Sequence, residues 1–159
     1  MQKIVFLDLE GTVIDELQKA GAAVLMNIAA VRQFLAGERP CAVKLFSFAF
    51  AGAESVALFR GALEAPLNQA LGVTLDMRDA FTTGQLFQLC RKHGTVFESD
   101  EECMLFHSKD MGFQRFIELS PEFCNVEVVL VDDAVVSKTI HYPGRDVTIR
   151  MVNVNDLLQ

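Results

Sequence analysis

Hydrophobic positions along the chain fall into two kinds of segment. Lys3–Leu9 (KIVFLDL), Cys41–Phe48 (CAVKLFSF) and Val126–Val131 (VEVVLV) are short, nearly continuous apolar runs rich in branched residues. Runs of this kind mark strands buried on both faces, as in the middle of a parallel sheet. Asp146–Asn153 (DVTIRMVN) reads as a last strand, and Thr95–Glu98 as a short one. Between them the apolar residues recur at helical spacing, over about Leu17–Leu35, Ala53–Leu71, Thr83–His93 and Ser108–Leu119. Gly37 with Pro40 just beyond, Gly72 and Gly94 stand where helix terminators are expected, and Ser108 stands as an N-cap. Strands that alternate with helices imply crossover connections and a parallel sheet. The pattern predicts one α/β domain over residues 1–159, with helices on both faces of the sheet.

Composition narrows the function classes. Of the 159 residues, 51% are hydrophobic and 22% charged, so the chain can bury enough surface to order itself. The net charge of −7 argues against broad binding to nucleic acid or to an anionic membrane. It leaves room for a local cationic pocket, or for a Mg²⁺ site that bridges carboxylates to a phosphate. The uncharged run Ala20–Val31 contains Asn27 and is far shorter than the ~20 residues of a membrane span. The N-terminal stretch MQKIVFLDLEG carries acids where a signal peptide would be apolar, so a cytoplasmic location is expected. Cys41, Cys90, Cys103 and Cys124 show no CxxC or paired zinc spacing. They read as small buried hydrophobes in a reducing compartment, with neither a disulfide framework nor a structural zinc.

The candidate chemistry lies at the strand ends. In open parallel sheets, ligands bind outside the carboxyl ends of the strands. The first strand ends in Asp8-Leu9-Glu10-Gly11-Thr12, the second near Ser47, and VEVVLV in Asp132-Asp133. A single acid at a strand end is ordinarily just a polar terminus. Several acids gathered on one edge repel each other, and a hard divalent cation with oxygen ligands is the usual remedy.

These residues carry a family resemblance. VFLDLEGTVID resembles the first motif of the haloacid dehalogenase-like (HAD) superfamily, a buried strand followed by DxDGT. Asp8 matches the nucleophile and Thr12 the turn residue; Glu10 replaces the second Asp, as in the D-I-E-G-T version of the enolase-phosphatases. Ser47 is similar to the second-motif Ser/Thr. Lys109, about two dozen residues before the acidic pair, resembles the third-motif Lys, and VVLVDD resembles the fourth motif. The resemblance spans nearly the whole chain in order. It implies a Mg²⁺-dependent phosphohydrolase acting through an aspartyl-phosphate. Asp8 would be the nucleophile and Glu10 the acid–base. Asp8, the Glu10 carbonyl, Asp132 and Asp133 would hold Mg²⁺, and Ser47, Lys109, Gly11 and Thr12 would bind the phosphoryl group.

Thr12–Leu17 and Lys109–Asp132 leave no room for a cap domain. Among relatives an open site goes with large, even macromolecular, phosphorylated substrates, or with a cap borrowed from another subunit of a homo-oligomer. Two other readings compete. A 3′–5′ exonuclease would use Asp8-Leu9-Glu10 with His141 and Asp146 in an H-x4-D spacing, although Pro143-Gly144 interrupt that segment. A non-catalytic relative would keep the fold as a binding or regulatory module, yet Asp8 and the acidic pair are all present. Phe46, Phe48 and Phe50 alternate as packing residues do, with Phe48 and Phe50 near enough to the strand end to wall the pocket. Tyr142 and Arg145 are candidate substrate contacts in a loop.

Overall fold

The computed structural model describes residues 1–159, apart from the side chain of Asp100. Five strands form one sheet: β1 (Gln2–Leu7), β2 (Ala42–Leu45), β3 (Val126–Asp132), β4 (Lys138–Tyr142) and β5 (Val147–Asn153), in the order β2-β1-β3-β5-β4. All neighbours run parallel except the β4–β5 pair. The architecture is α/β, as the hydrophobic pattern predicts, but its sheet is mostly rather than wholly parallel. β4 is the addition. Its residues alternate between half-buried and exposed, and it joins β5 through the tight turn Pro143–Asp146.

The period-2 alternation of each inner strand supplies both faces. Val5, Leu7, Val43, Leu45, Val129 and Val131 pack with α1 (Ile28–Glu38), α2 (Ala53–Ala62) and α3 (Glu64–Leu71). Phe6, Phe46, Val128, Leu130, Ile149 and Met151 pack on the other face, under α4 (Thr83–Lys92), α5 (Asp100–Phe106) and α6 (Lys109–Glu118). Helices on both faces are thus confirmed. The second core is aromatic: Phe6, Phe46, Phe81, Phe113, Phe116 and Phe123 meet at centroid distances of 4.1 to 6.2 Å.

Several predicted elements differ. The helix expected over Leu17–Leu35 is a 3₁₀ segment, Leu17–Ala22, followed by α1. Ala20 at φ 49° and Asn27 at φ 54° interrupt it. The residues between fold back instead, with Ile14 bridged to both Glu10 and Leu25. Gly37 lies inside α1, whose end is set by Arg39 in the left-handed region and by Pro40. Ala53–Leu71 divides into α2 and α3 because Pro66 has no N–H for the Ala62 carbonyl, where α2 stops. Thr95–Glu98 is irregular, and α5 follows it. Cys90 and Cys103 are buried as expected, whereas Cys41 and Cys124 are exposed.

Candidate active site

β1 and β3 are adjacent and in register through Leu7 and Val131, so the chain leaves the sheet at Asp8 and Asp132 side by side. The Asp8 amide still donates to the Val131 carbonyl at 3.0 Å, which keeps Asp8 on the sheet edge. Both carboxylates are buried. Lys109, the first residue of α6, joins them. Its Nζ donates to Asp8 Oδ1 at 2.6 Å and to Asp132 Oδ2 at 3.1 Å.

The loop after Asp8 is built by short-range bonds. The amides of Thr12, Val13 and Ile14 all donate to the Leu9 carbonyl. Thr12 Oγ1 donates to Asp8 Oδ2 at 3.1 Å and accepts the Asp133 amide at 3.1 Å, so it ties the first strand end to the third. Gly11 is required twice. Its φ of +82° is left-handed, and a Cβ there would stand 2.3 Å from Asp133 Oδ2. Glu10 is half-buried, and its Oε2 accepts the Leu17 amide at 2.8 Å, which holds the 3₁₀ segment against the loop.

Ser47 is buried two residues beyond β2, beside the end of β1, where the Phe46 amide donates to the Leu7 carbonyl. Its Oγ accepts the Ala49 amide at 3.1 Å. The structure therefore gathers Asp8, Thr12, Lys109, Asp132 and Asp133 by direct contact and sets Gly11 against Asp133. Ser47 stands at the neighbouring strand end, inside its own turn.

Charge balance explains the titration of the cluster. Burial is the largest influence on Asp8 and raises its carboxyl; Lys109 pulls it back, Asp132 pushes it up again, and the result is about 7. Burial likewise raises Asp132, against the pull of Lys109 and the Ala134 amide. For Lys109 burial works against the charge, but the attraction of Asp8 and Asp132 outweighs it and the ammonium is held above its ordinary value. One ammonium pairs with two buried carboxylates, and the exposed Asp133 lies beside them, so negative charge is in surplus. Carboxylate oxygens of Asp8, Asp132 and Asp133 lie within 4.8 Å of one another, a hard-oxygen donor set that suits Mg²⁺.

Two residues outside the motifs support the site. Asn153, in register with Asp132, donates to the carbonyls of Asp133 and Val135 and fixes the loop after the acidic pair. Asn27 donates to the Thr12 carbonyl at 2.9 Å. The sequence signal for Asn153 is an amide at the end of a buried strand, and an Asn that tolerates the left-handed region is the signal for Asn27.

Other candidates fall elsewhere. Asp146 accepts the Val126 amide at the start of β3, the opposite end of the sheet from Asp132. His141 bonds Thr148 near the start of β5, so the exonuclease constellation does not assemble. Tyr142 bonds Glu118 and Gln114, and Arg145 donates to the carbonyls of Ile117 and Ser120 at the end of α6; neither is a substrate contact of this site. Phe50 packs on Phe59 in the core, whereas Phe48 lies beside Lys109. A cavity of about 390 Å³ lined by Gln2, Phe6, Lys44, Asp76 and Phe123 contains none of the predicted site residues. Among the described residues no helix is long and apolar enough to cross a membrane.

No protein-family model and no curated protein matches the chain. A crystal structure from Mesorhizobium loti, provisionally described as a HAD-like phosphatase, is similar at 16% identity, covering 99% of this chain and 84% of that one, with a TM-score of 0.43. At that level of likeness the residues of this chain have to carry the functional reading.

Proposed function

We propose that this protein is a Mg²⁺-dependent phosphohydrolase with Asp8 as its nucleophile. The observation that carries this reading is the buried Asp8–Lys109–Asp132 cluster, with Asp133 beside it, at the carboxyl ends of two adjacent strands. Asp8, Asp132, Asp133 and the main-chain carbonyl of Glu10 would hold the ion, which when bound supplies positive charge between nucleophile and phosphate.

The residues divide the work. Asp8 attacks phosphorus in line; the ester bond breaks and an aspartyl-phosphate forms. Glu10 gives a proton to the leaving oxygen, then takes one from the water that attacks the same phosphorus. That second step frees Asp8 and inorganic phosphate. Lys109 remains charged throughout and offsets the repulsion between Asp8 and the phosphoryl oxygens. Ser47 and the amides of the loop after Glu10 hold those oxygens, and Gly11 lets the loop approach closely. The short excursion between β1 and α1 adds no cap domain, which suits a large phosphorylated substrate.

A phosphate-release screen over sugar phosphates, nucleotides and phosphopeptides with Mg²⁺ tests this reading, run beside an Asp8→Asn control. Release that needs both Mg²⁺ and Asp8 is the expected result. Release unchanged in Asp8→Asn would overturn it.

A further inference from the structure

Phe48 sits one residue past Ser47, and its half-buried ring meets α6 at two places. Lys109 Nζ stands 4.9 Å from the ring centroid and 5.9 Å from that of Phe46. On the same helix, three residues on and so on the same side, a Cβ at Gly112 would stand 2.8 Å from Phe48 Cζ. Glycine is a poor residue for a helix interior. Here it leaves the space that the ring occupies, so the ring and the lysine share one face of α6.

We propose that Phe48 is a positioning residue for Lys109, holding the ammonium against Asp8 and Asp132 through its aromatic face. The physical case has two parts. An ammonium with a flexible four-carbon stem has many places to go, and two carboxylates fix it on one side. The ring lies 4.9 Å from the ammonium, attracts the charge by its quadrupole and helps shield it from water that would screen the ion pairs. Gly112 makes the ring's approach sterically specific rather than merely apolar. The consequence for catalysis rests on the phosphohydrolase reading; the positioning itself does not.

The test compares Phe48→Leu, which keeps an apolar side chain and removes the aromatic face, with the wild type. Reductive methylation followed by peptide mass spectrometry reads the reactivity of Lys109, with Lys3 and Lys44 as internal controls. We expect Phe48→Leu to raise the Lys109 rate roughly three- to tenfold. Gly112→Ala, whose methyl would displace the ring from its place on α6, should act in the same direction as Phe48→Leu. Inorganic phosphate binding with Mg²⁺ should weaken in parallel, and kcat should fall more than KM rises. A Lys109 rate unchanged in both Phe48→Leu and Gly112→Ala would overturn the proposal. A general loss of fold would raise the control lysines too, and Gly112→Ala then decides. Lys109 exposure without any phosphate release in the wild type would sink the phosphohydrolase reading and leave this one standing.

Discussion

At the scale of single residues, Asp8 has the most to reveal. Its carboxyl is raised from 3.8 to about 7 because burial and Asp132 outweigh Lys109. A raised acid contributes stability while it is protonated in the folded protein. That contribution is complete below about pH 4 and is lost as pH climbs through 7, worth at most about 4 kcal/mol over the interval. Asp8→Asn should therefore melt above the metal-free wild type, by a margin that grows from pH 4 to pH 7. A margin independent of pH, read by thermal scans in chelator, would contradict the burial argument. The same substitution should abolish phosphate release. Gly11→Ala tests the loop. It strains a φ of +82° and drives a methyl into Asp133, so it should cost about 1–3 kcal/mol and weaken Mg²⁺ binding. Urea midpoints and Mg²⁺ titrations read the two effects separately.

At the scale of elements, β1, β2, β3 and β5 were legible because short, branched, mostly apolar runs fit a buried strand far better than a surface helix or a loop. α6 was legible too, and with it the placement of Lys109. β4 was not, since KTIHY buries one face partially and its antiparallel pairing depends on the turn at Pro143–Asp146. The division of Leu17–Leu35 was hidden because Ala, Leu and Met keep helical periodicity through a break made by Ala20 and Asn27. Glu10 was legible as an acid beside Asp8, but its bond to the Leu17 amide was not, because it depends on how the loop folds against the 3₁₀ segment. Arg145 shows the other kind of miss. Read as a loop cation it suggested a substrate contact, yet it closes the last turn of α6 by donating to the Ile117 and Ser120 carbonyls. Arg145→Ala should thus lower stability by about 1–2 kcal/mol and leave kcat and KM unchanged, a split that thermal melts and kinetics can read. A raised KM at unchanged stability would return Arg145 to the substrate.

At the scale of the whole molecule, a net charge of −7 and a buried surplus of carboxylates act on stability together. Any cation screens the first, but a divalent ion held by oxygen ligands relieves the second. A ligand bound to the folded state at about 100 times its dissociation constant adds roughly 2.7 kcal/mol. For a chain of this length that is roughly 5–10 °C in melting temperature. Saturating Mg²⁺ should produce a rise of this size, and NaCl at equal ionic strength a smaller one. The rise should be larger at pH 8 than at pH 5, because at pH 5 Asp8 keeps the proton that the ion must displace. Asp132→Asn removes one buried carboxylate while keeping the shape, so its melting temperature should respond to Mg²⁺ and NaCl alike. An equal specific response to Mg²⁺ in Asp132→Asn and the wild type would mean that the ion binds elsewhere on the acidic surface, and the carboxylate cluster would lose its place as the metal site.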